Sequence, residues 1–321
     1  MSLLSAFRSR TSRAHDHGDL DRLRTAIAAF AGTASFEIAA KDAEGLNQAR
    51  PYIPSGSTIS VTWMPNDTHD HRVAAAKALC EAGYEPVPHI AARRILGVDD
   101  FDELVGRLTS EAGVSQLFII AGDVPDAIGP FSSSLELLAR CRPERLGIKR
   151  IGVGGHPEGH PIVSDAVLRA ELDTKLAFIS DIGAEPFVIT QFAFSAEPIV
   201  DWLRAFRERG NEALVRIGLA GPAGVRTLLR FARHCGVGAS TRVLMARGTS
   251  IAQLINEAGP DAVIEGLMTS AAAEDLGAVA LHLFPFGGLE RTARWIGPVS
   301  QGRFIMRKSE AGFHPEAWEI S

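Results

Sequence analysis

The 321-residue chain carries 33 Lys and Arg against 38 Asp and Glu, a formal charge of −5 with a sequence pI near 6.1. That balance leaves no concentrated basic face of the kind a phosphate backbone needs, which speaks against a nucleic-acid partner. Hydrophobic residues make up 46% of the chain, enough for a sizeable core, yet no apolar run reaches the roughly 18 residues of a membrane span.

Cys80, Cys141 and Cys235 are odd in number and far apart, so neither a disulfide framework nor a zinc spacing is expected, which fits a reducing cytoplasm. Met1 to His15 contains Arg8, Arg10 and Arg13 without an apolar segment, and no export signal is expected there. The sequence is compatible with self-association. One large α/β unit is the simplest organisation: an N-terminal extension and helix over residues 1–32, a catalytic domain over 33–300 and a C-terminal tail over 301–321.

Leu20, Leu23, Ile27 and Phe30 recur at helical spacing and predict an amphipathic helix over Leu20–Ala31, placed to plug or cover the lower end of the catalytic domain. Ala34–Ile38 reads as a short strand carrying the carboxylate of Glu37, and Lys41–Ala49 as a helix. A second strand covers Thr58–Met64 and ends at Pro65-Asn66-Asp67; helix His69–Ala82 is closed by Gly83. Strand three, Glu85–Ile90, contains His89, and the helix after it starts near Asp99, an N-cap candidate. Gln116–Ala121 is apolar almost throughout, as a parallel strand buried on both sides should be, and ends in Gly122-Asp123.

A helix over Ser132–Cys141 precedes strand five, which runs from Ile151 into His156-Pro157-Glu158-Gly159-His160-Pro161. Helix Val163–Ile182 leads to strand six, Pro186–Phe192. Strand seven, Ala213–Leu219, is closed by Ala220-Gly221-Pro222-Ala223-Gly224, and two or three helices cover Val225–Ala272. Strand eight is Gly277–Phe284, with Gly288–Trp295 as the last helix. Eight strands alternating with helices predict a parallel sheet closed into a (β/α)8 TIM barrel. An open doubly wound sheet is the alternative, but the first βα turn lacks its Gly-x-Gly-x-x-Gly fingerprint.

The strand ends supply the chemistry: Glu37, Thr62, His89, Asp123, His156 with Glu158 and His160, Gln191 and His282. Each has a bland alternative as a satisfied core group, which weighs more for Thr62 and His282 than for Glu37 and His89. A carboxylate in an apolar strand is costly to bury ionised, so Glu37 should be paired or have a raised pKa, and the second suits a general acid. His156, Glu158 and His160 could meet one ion, but the helical His-Glu-x-x-His arrangement is absent and no metal is expected.

Ser35-Phe36-Glu37, Ser60-Val61-Thr62, Pro88-His89, Gly122-Asp123-Val124-Pro125, the His-Pro-Glu-Gly-His-Pro loop and Ile189-Thr190-Gln191-Phe192-Ala193-Phe194 succeed one another on six successive strands. In that order the chain resembles the methylenetetrahydrofolate reductases, well from Ser35 to Phe194 and loosely beyond. The resemblance implies a (β/α)8 barrel that reduces 5,10-methylenetetrahydrofolate to 5-methyltetrahydrofolate with FAD and NADH or NADPH. It implies Glu37 as the general acid that protonates the folate N10, Asp123 as a catalytic acid beside flavin and pterin, and Gln191 with Phe192 as substrate contacts. Thr62, His89, Gly122, His156, His160, Asp165 and Lys175 fall at cofactor-binding positions. Where the family has arginine before Gly-Asp this chain has Ala121, and His156 replaces a tyrosine, so FAD is expected to be held weakly or to be absent. Some members of the wider family pass hydride directly from nicotinamide to folate. A barrel oxidoreductase acting on another pterin or heterocycle, and a non-catalytic subunit, are the alternatives.

Overall fold

The computed structural model describes residues 3–234, 257–308, 310–316 and 318. Among these, eight parallel strands close into a barrel: β1 (Ser35–Ala39), β2 (Thr58–Thr62), β3 (Glu85–Ala91), β4 (Gln116–Ile120), β5 (Arg150–Gly155), β6 (Glu185–Thr190), β7 (Leu214–Ala220) and β8 (Val279–Phe284). Every strand pairs with its neighbours in sequence and β8 closes on β1, Ser35 opposite His282. The (β/α)8 expectation holds.

Alternation along the strands sorts the core into two parts. Outward residues such as Phe36, Ile38, Ile59, Val61, Leu117, Ile119, Val215 and Leu281 join the main core beneath the helices. Val87, Phe118, Phe187 and Ile189 form a separate cluster, joined by Ile120, Leu214 and Phe284, which fills the barrel. Gly152 makes that filling possible, since a Cβ there would overlap the Phe187 ring and stand 2.9 Å from Phe118.

The surrounding helices are α1 (Leu3–Gly32), α2 (His69–Glu81), α3 (Val98–Ala112), α4 (Asp165–Asp181), α5 (Ala196–Glu208), α6 (Val225–His234), α7 (Asp261–Ala273) and α8 (Leu289–Ser300). Thr68 caps α2 through a reciprocal exchange with His71, and Gly83 takes the positive φ of +86° that ends that segment. The N-cap of α3 is Gly97 rather than Asp99, because Asp100 turns back to accept from Leu96 N–H at 2.9 Å.

Other boundaries shift for local reasons. Lys41–Ala49 is a 3-10 segment, Ala40–Gly45, followed by the single turn Leu46–Ala49. β2 stops at Thr62, where Pro65 lies just ahead, and Ser132–Cys141 shrinks to the helix Ser134–Leu138. β6 ends at Thr190, short of Phe192. α8 runs on to Ser300 through Pro298.

α1 is longer than Leu20–Ala31 and does not plug the barrel: it lies along α7 and α8, burying Ile27, Phe30 and Ala31, and touches β8. The expected tail contains an antiparallel pair, Phe304–Met306 with Phe313–Pro315, whose Phe304 and Phe313 are buried. Of the helices expected across Val225–Ala272, the part between α6 and Glu257 lies outside the described residues, as does Cys235; Cys80 and Cys141 are free thiols. Among the described residues no helix is long and apolar enough to cross a membrane.

Candidate active site

The C-terminal ends of β1 and β2, the turn after β8 and α8 bound a cavity of about 1170 Å3, with Glu37 and Thr62 in its wall and Lys41, Phe231, Phe286 and Arg291 around it. Catalytic groups of such barrels gather at this end because the βα loops carry them there. Glu37 stands between two imidazoles: its Oε2 is 3.5 Å from His89 Nε2 and 4.0 Å from His282 Nε2.

Burial sets the protonation of all three. The Glu37 side chain is 18% exposed, and desolvation raises its pKa to about 8. Desolvation also depresses His89 to about 3, with the Arg72 cation adding to it, and takes His282 well below the ordinary imidazole value. Near neutral pH the cluster is therefore an uncharged acid between two uncharged rings. Among the described residues neither Nε2 has a hydrogen-bond partner, although both are buried.

Arg72, fully buried on α2, holds the strand ends on this side. Its Nη1 donates to Thr62 O at 2.9 Å, its Nη2 donates to His89 O, and the guanidinium lies 4.2 Å from the centre of the Trp63 ring. Reading the sequence for strand-end residues passes over it, since arginine in a helix suggests the solvent face. The available signal is its spacing with Ala75, Ala76 and Leu79, which places it on the buried stripe.

Asp123, just after β4, is not among the residues that line the Glu37 cavity. Its side chain is 57% exposed, and Arg94, from the turn after β3, donates to its Oδ1 at 2.8 Å while reaching Pro65 O at 3.5 Å. Gly122 before it adopts φ +101° where a Cβ would press on Ala91, so glycine is required for β3 and β4 to approach. Thr62 donates its hydroxyl to Ile38 O.

On the β6 side of the barrel, Gln191 comes directly after the strand with its N–H donating to Gly155 O at 2.8 Å. Phe192 is buried and belongs to an aromatic group with Phe284 and Phe286; Phe231 of α6 stacks on Phe286 at 4.0 Å. Phe231 and Phe286 face the Glu37 cavity and escaped the sequence reading, although Phe284-Pro285-Phe286 at a strand end is the available cue.

The strand-five loop forms something separate. His156, Glu158, Gly159 and Asp165 line a second cavity of about 380 Å3 between α4 and α5, together with Trp202. Burial pushes His156 down to about 4, helped by His160 and Lys175. His160 meets it edge-on at 5.7 Å and accepts from Ile162 N–H and Val163 N–H, while Lys175 is paired to Glu171 at 2.9 Å. Among the described residues no His, Cys, Asp and Glu group is arranged to hold a metal ion.

The structure thus gathers Glu37, Thr62 and His89 with His282. It leaves Asp123 outside the lining of that cavity and sets His156, His160, Asp165 and Lys175 apart.

A structurally similar protein from Clostridium thermocellum, described as an uncharacterized protein that binds two copies of 5-methyl-5,6,7,8-tetrahydrofolic acid, superposes with TM-score 0.56 at 11% identity, over 82% of this chain and 93% of that one. At that identity the likeness shows the shared fold. The 3-dehydroquinate dehydratase from Aquifex aeolicus aligns at TM-score 0.40 and 14% identity, over 63% of this chain and 84% of that one. The sequence profile of methylenetetrahydrofolate reductase matches residues 46–253, beginning beyond Glu37. With well over half its length matched and a closed parallel barrel beneath it, the chain belongs to the methylenetetrahydrofolate reductase family.

Proposed function

We propose that this protein reduces 5,10-methylenetetrahydrofolate to 5-methyltetrahydrofolate with NADH or NADPH, Glu37 serving as the general acid. The observation that carries this reading is a carboxyl held protonated up to about pH 8 in the wall of a cavity of about 1170 Å3. A folded-protein pocket of this order accommodates a drug-sized ligand. Proton transfer to N10 opens the five-membered ring to an N5 iminium, whose exocyclic carbon then accepts hydride. The neighbour's bound 5-methyltetrahydrofolate supports folate binding on a barrel of this shape.

FAD is the prosthetic group the family implies, and the residues at its positions fit it poorly. The Asp123 carboxylate is engaged by Arg94, the Lys175 ammonium by Glu171 and the His160 Nδ1 by two backbone N–H groups. Ala121 offers no cation. These partnerships favour direct passage of hydride from nicotinamide to folate, with FAD held loosely at most. The retained Thr62, His89 and Asp123 favour the flavin reading, which is the competing one.

Glu37→Gln should reduce turnover by about 10²–10⁴, the usual worth of a general acid. Parent-like turnover in that variant would refute the assignment. For the hydride source, the flavin-free protein is assayed for NAD(P)H-dependent folate reduction with and without added FAD. Full turnover without FAD is expected, and an absolute requirement for FAD would restore the flavoenzyme reading.

A further inference from the structure

His282 is the strand-end group of the cluster to which neither the proposed reaction nor the flavin reading gives a role. Its ring is fully buried at the heart of the barrel, and burying imidazole there is expensive unless its nitrogens are used. Ser35, its register partner on β1, shows how one of them is used. The Ser35 Oγ lies 3.1 Å from Leu281 O and 2.9 Å from His282 Nδ1. A carbonyl oxygen only accepts, so the hydroxyl hydrogen goes to Leu281 O and the Oγ lone pair is turned on the ring. Nδ1 then carries the imidazole hydrogen, and Nε2 is left as a bare acceptor.

Among the described residues that acceptor meets the Glu37 Oε2, at 4.0 Å. At that separation no hydrogen bond is formed; a lone pair facing a carboxylate is repulsive, whereas facing a carboxylic acid it is attractive, and a small shift of the Glu37 side chain would close the contact to a hydrogen bond. The same Oε2 meets His89 Nε2 at 3.5 Å. One carboxyl hydrogen cannot serve both rings, so with His282 as acceptor His89 must be the donor. In that arrangement the Glu37 Oε2 turns its hydrogen towards His282 and a lone pair towards His89.

Resting on Glu37 as the acid, we infer that Ser35 and His282 are positioning residues: Ser35 selects the Nδ1–H tautomer of His282, whose Nε2 receives the Glu37 carboxyl hydrogen and keeps that acid protonated and aimed into the cavity. The charged surroundings reinforce this arrangement. Arg216 of β7 acts on His282, and Arg72 of α2 on His89, each disfavouring protonation of the ring that it faces. Around the cavity the turn after β1 contributes Lys41 and Asp42, and α8 contributes Glu290, Arg291 and Arg294, charges of both signs.

Two variants test the device. Ser35→Ala removes the hydroxyl that selects the tautomer while leaving little space behind; His282→Gln removes the ring. In each, the carboxyl should ionise more readily, so the alkaline limb of kcat should move down by about one pH unit, a tenfold loss of protonated acid at the top of the range, with KM for the folate little changed. A second readout does not depend on activity: the protonated-carboxyl stretch of Glu37 in the infrared difference spectrum between parent and Glu37→Gln at pH 7. The expected result is loss or weakening of that band in a Ser35→Ala background. An unchanged band and an unchanged alkaline limb in Ser35→Ala overturn the inference, even should His282→Gln fail to fold. If Glu37→Gln is fully active while the band still depends on Ser35, the acid assignment falls and the tautomer device stands.

Discussion

Glu37 is ionisable, yet most of its side chain is out of water, and the consequence extends from catalysis to stability. Its pKa is about 8 in the folded chain and near 4.5 unfolded, so the folded state holds its proton more tightly. Its contribution is fully present below about pH 4.5 and is lost as pH rises towards 8. His89 acts in the opposite sense: depressed to about 3, it adds stability as pH rises from there to its ordinary 6.5, and His282 and His156 act in the same direction. An unfolded imidazole is still half protonated at pH 6.5, so the imidazole contributions are nearly complete only above about pH 7.5, and from there to about pH 8.5 the Glu37 slope dominates. The melting temperature of the parent should therefore fall across that window, and that of Glu37→Gln should stay nearly level. Parallel curves for the two proteins would show that the carboxyl is already ionised at neutral pH.

Arg72 shows how an element outside the barrel controls the geometry within it. From the buried stripe of α2 it joins the ends of β2 and β3 through Thr62 O and His89 O. Arg72→Met keeps much of the volume but strands both carbonyls, at about 1–3 kcal/mol for each unsatisfied group. Urea unfolding should show that loss. Because Thr62 and His89 sit at those strand ends, the folate KM should rise as well. A destabilised variant with unchanged kinetic constants would confine Arg72 to stability. The 3-10 segment Ala40–Gly45, expected as helix, is an element of another kind, carrying Lys41 and Asp42 straight from β1 to the cavity wall.

The barrel as a whole depends on filling its axis, and the sequence does so with phenylalanine opposite glycine. Gly152→Ala would push against Phe187 and Phe118 from the centre of the molecule, an overpacking that typically costs about 1–3 kcal/mol. Calorimetry should show a lower melting temperature, with turnover per folded molecule retained. The outer shell is closed by the hairpin after α8, where Phe313 packs on Phe304 and Trp295. Phe313→Ala should cost about 3–5 kcal/mol although Phe313 does not itself line the cavity. A loss under about 1 kcal/mol in denaturant unfolding would mean that the hairpin is peripheral to the fold.

The barrel was legible because its signals are local. Apolar runs of strand length alternate with helical periodicity, and chain connectivity then places successive strands side by side. Glu37, Thr62 and His89 were legible for the same reason: a polar residue ending an apolar strand points to the face where the loops gather. Segments lacking periodicity were not, such as the 3-10 turn after β1 and the hairpin of three-residue strands. The site's electrostatics depend on distances across the barrel that no spacing encodes. His282 and Glu37 are 245 residues apart in the chain and 4.0 Å apart in space, and only closure of β8 on β1 puts Ser35 against the same imidazole. Likewise Arg94 and Asp123, on different loops, meet because β3 and β4 are neighbours, which turns a strand-end carboxylate into a partnered one. The sequence named most of the ionisable groups; their protonation is decided by which strands meet and how much water those meetings exclude.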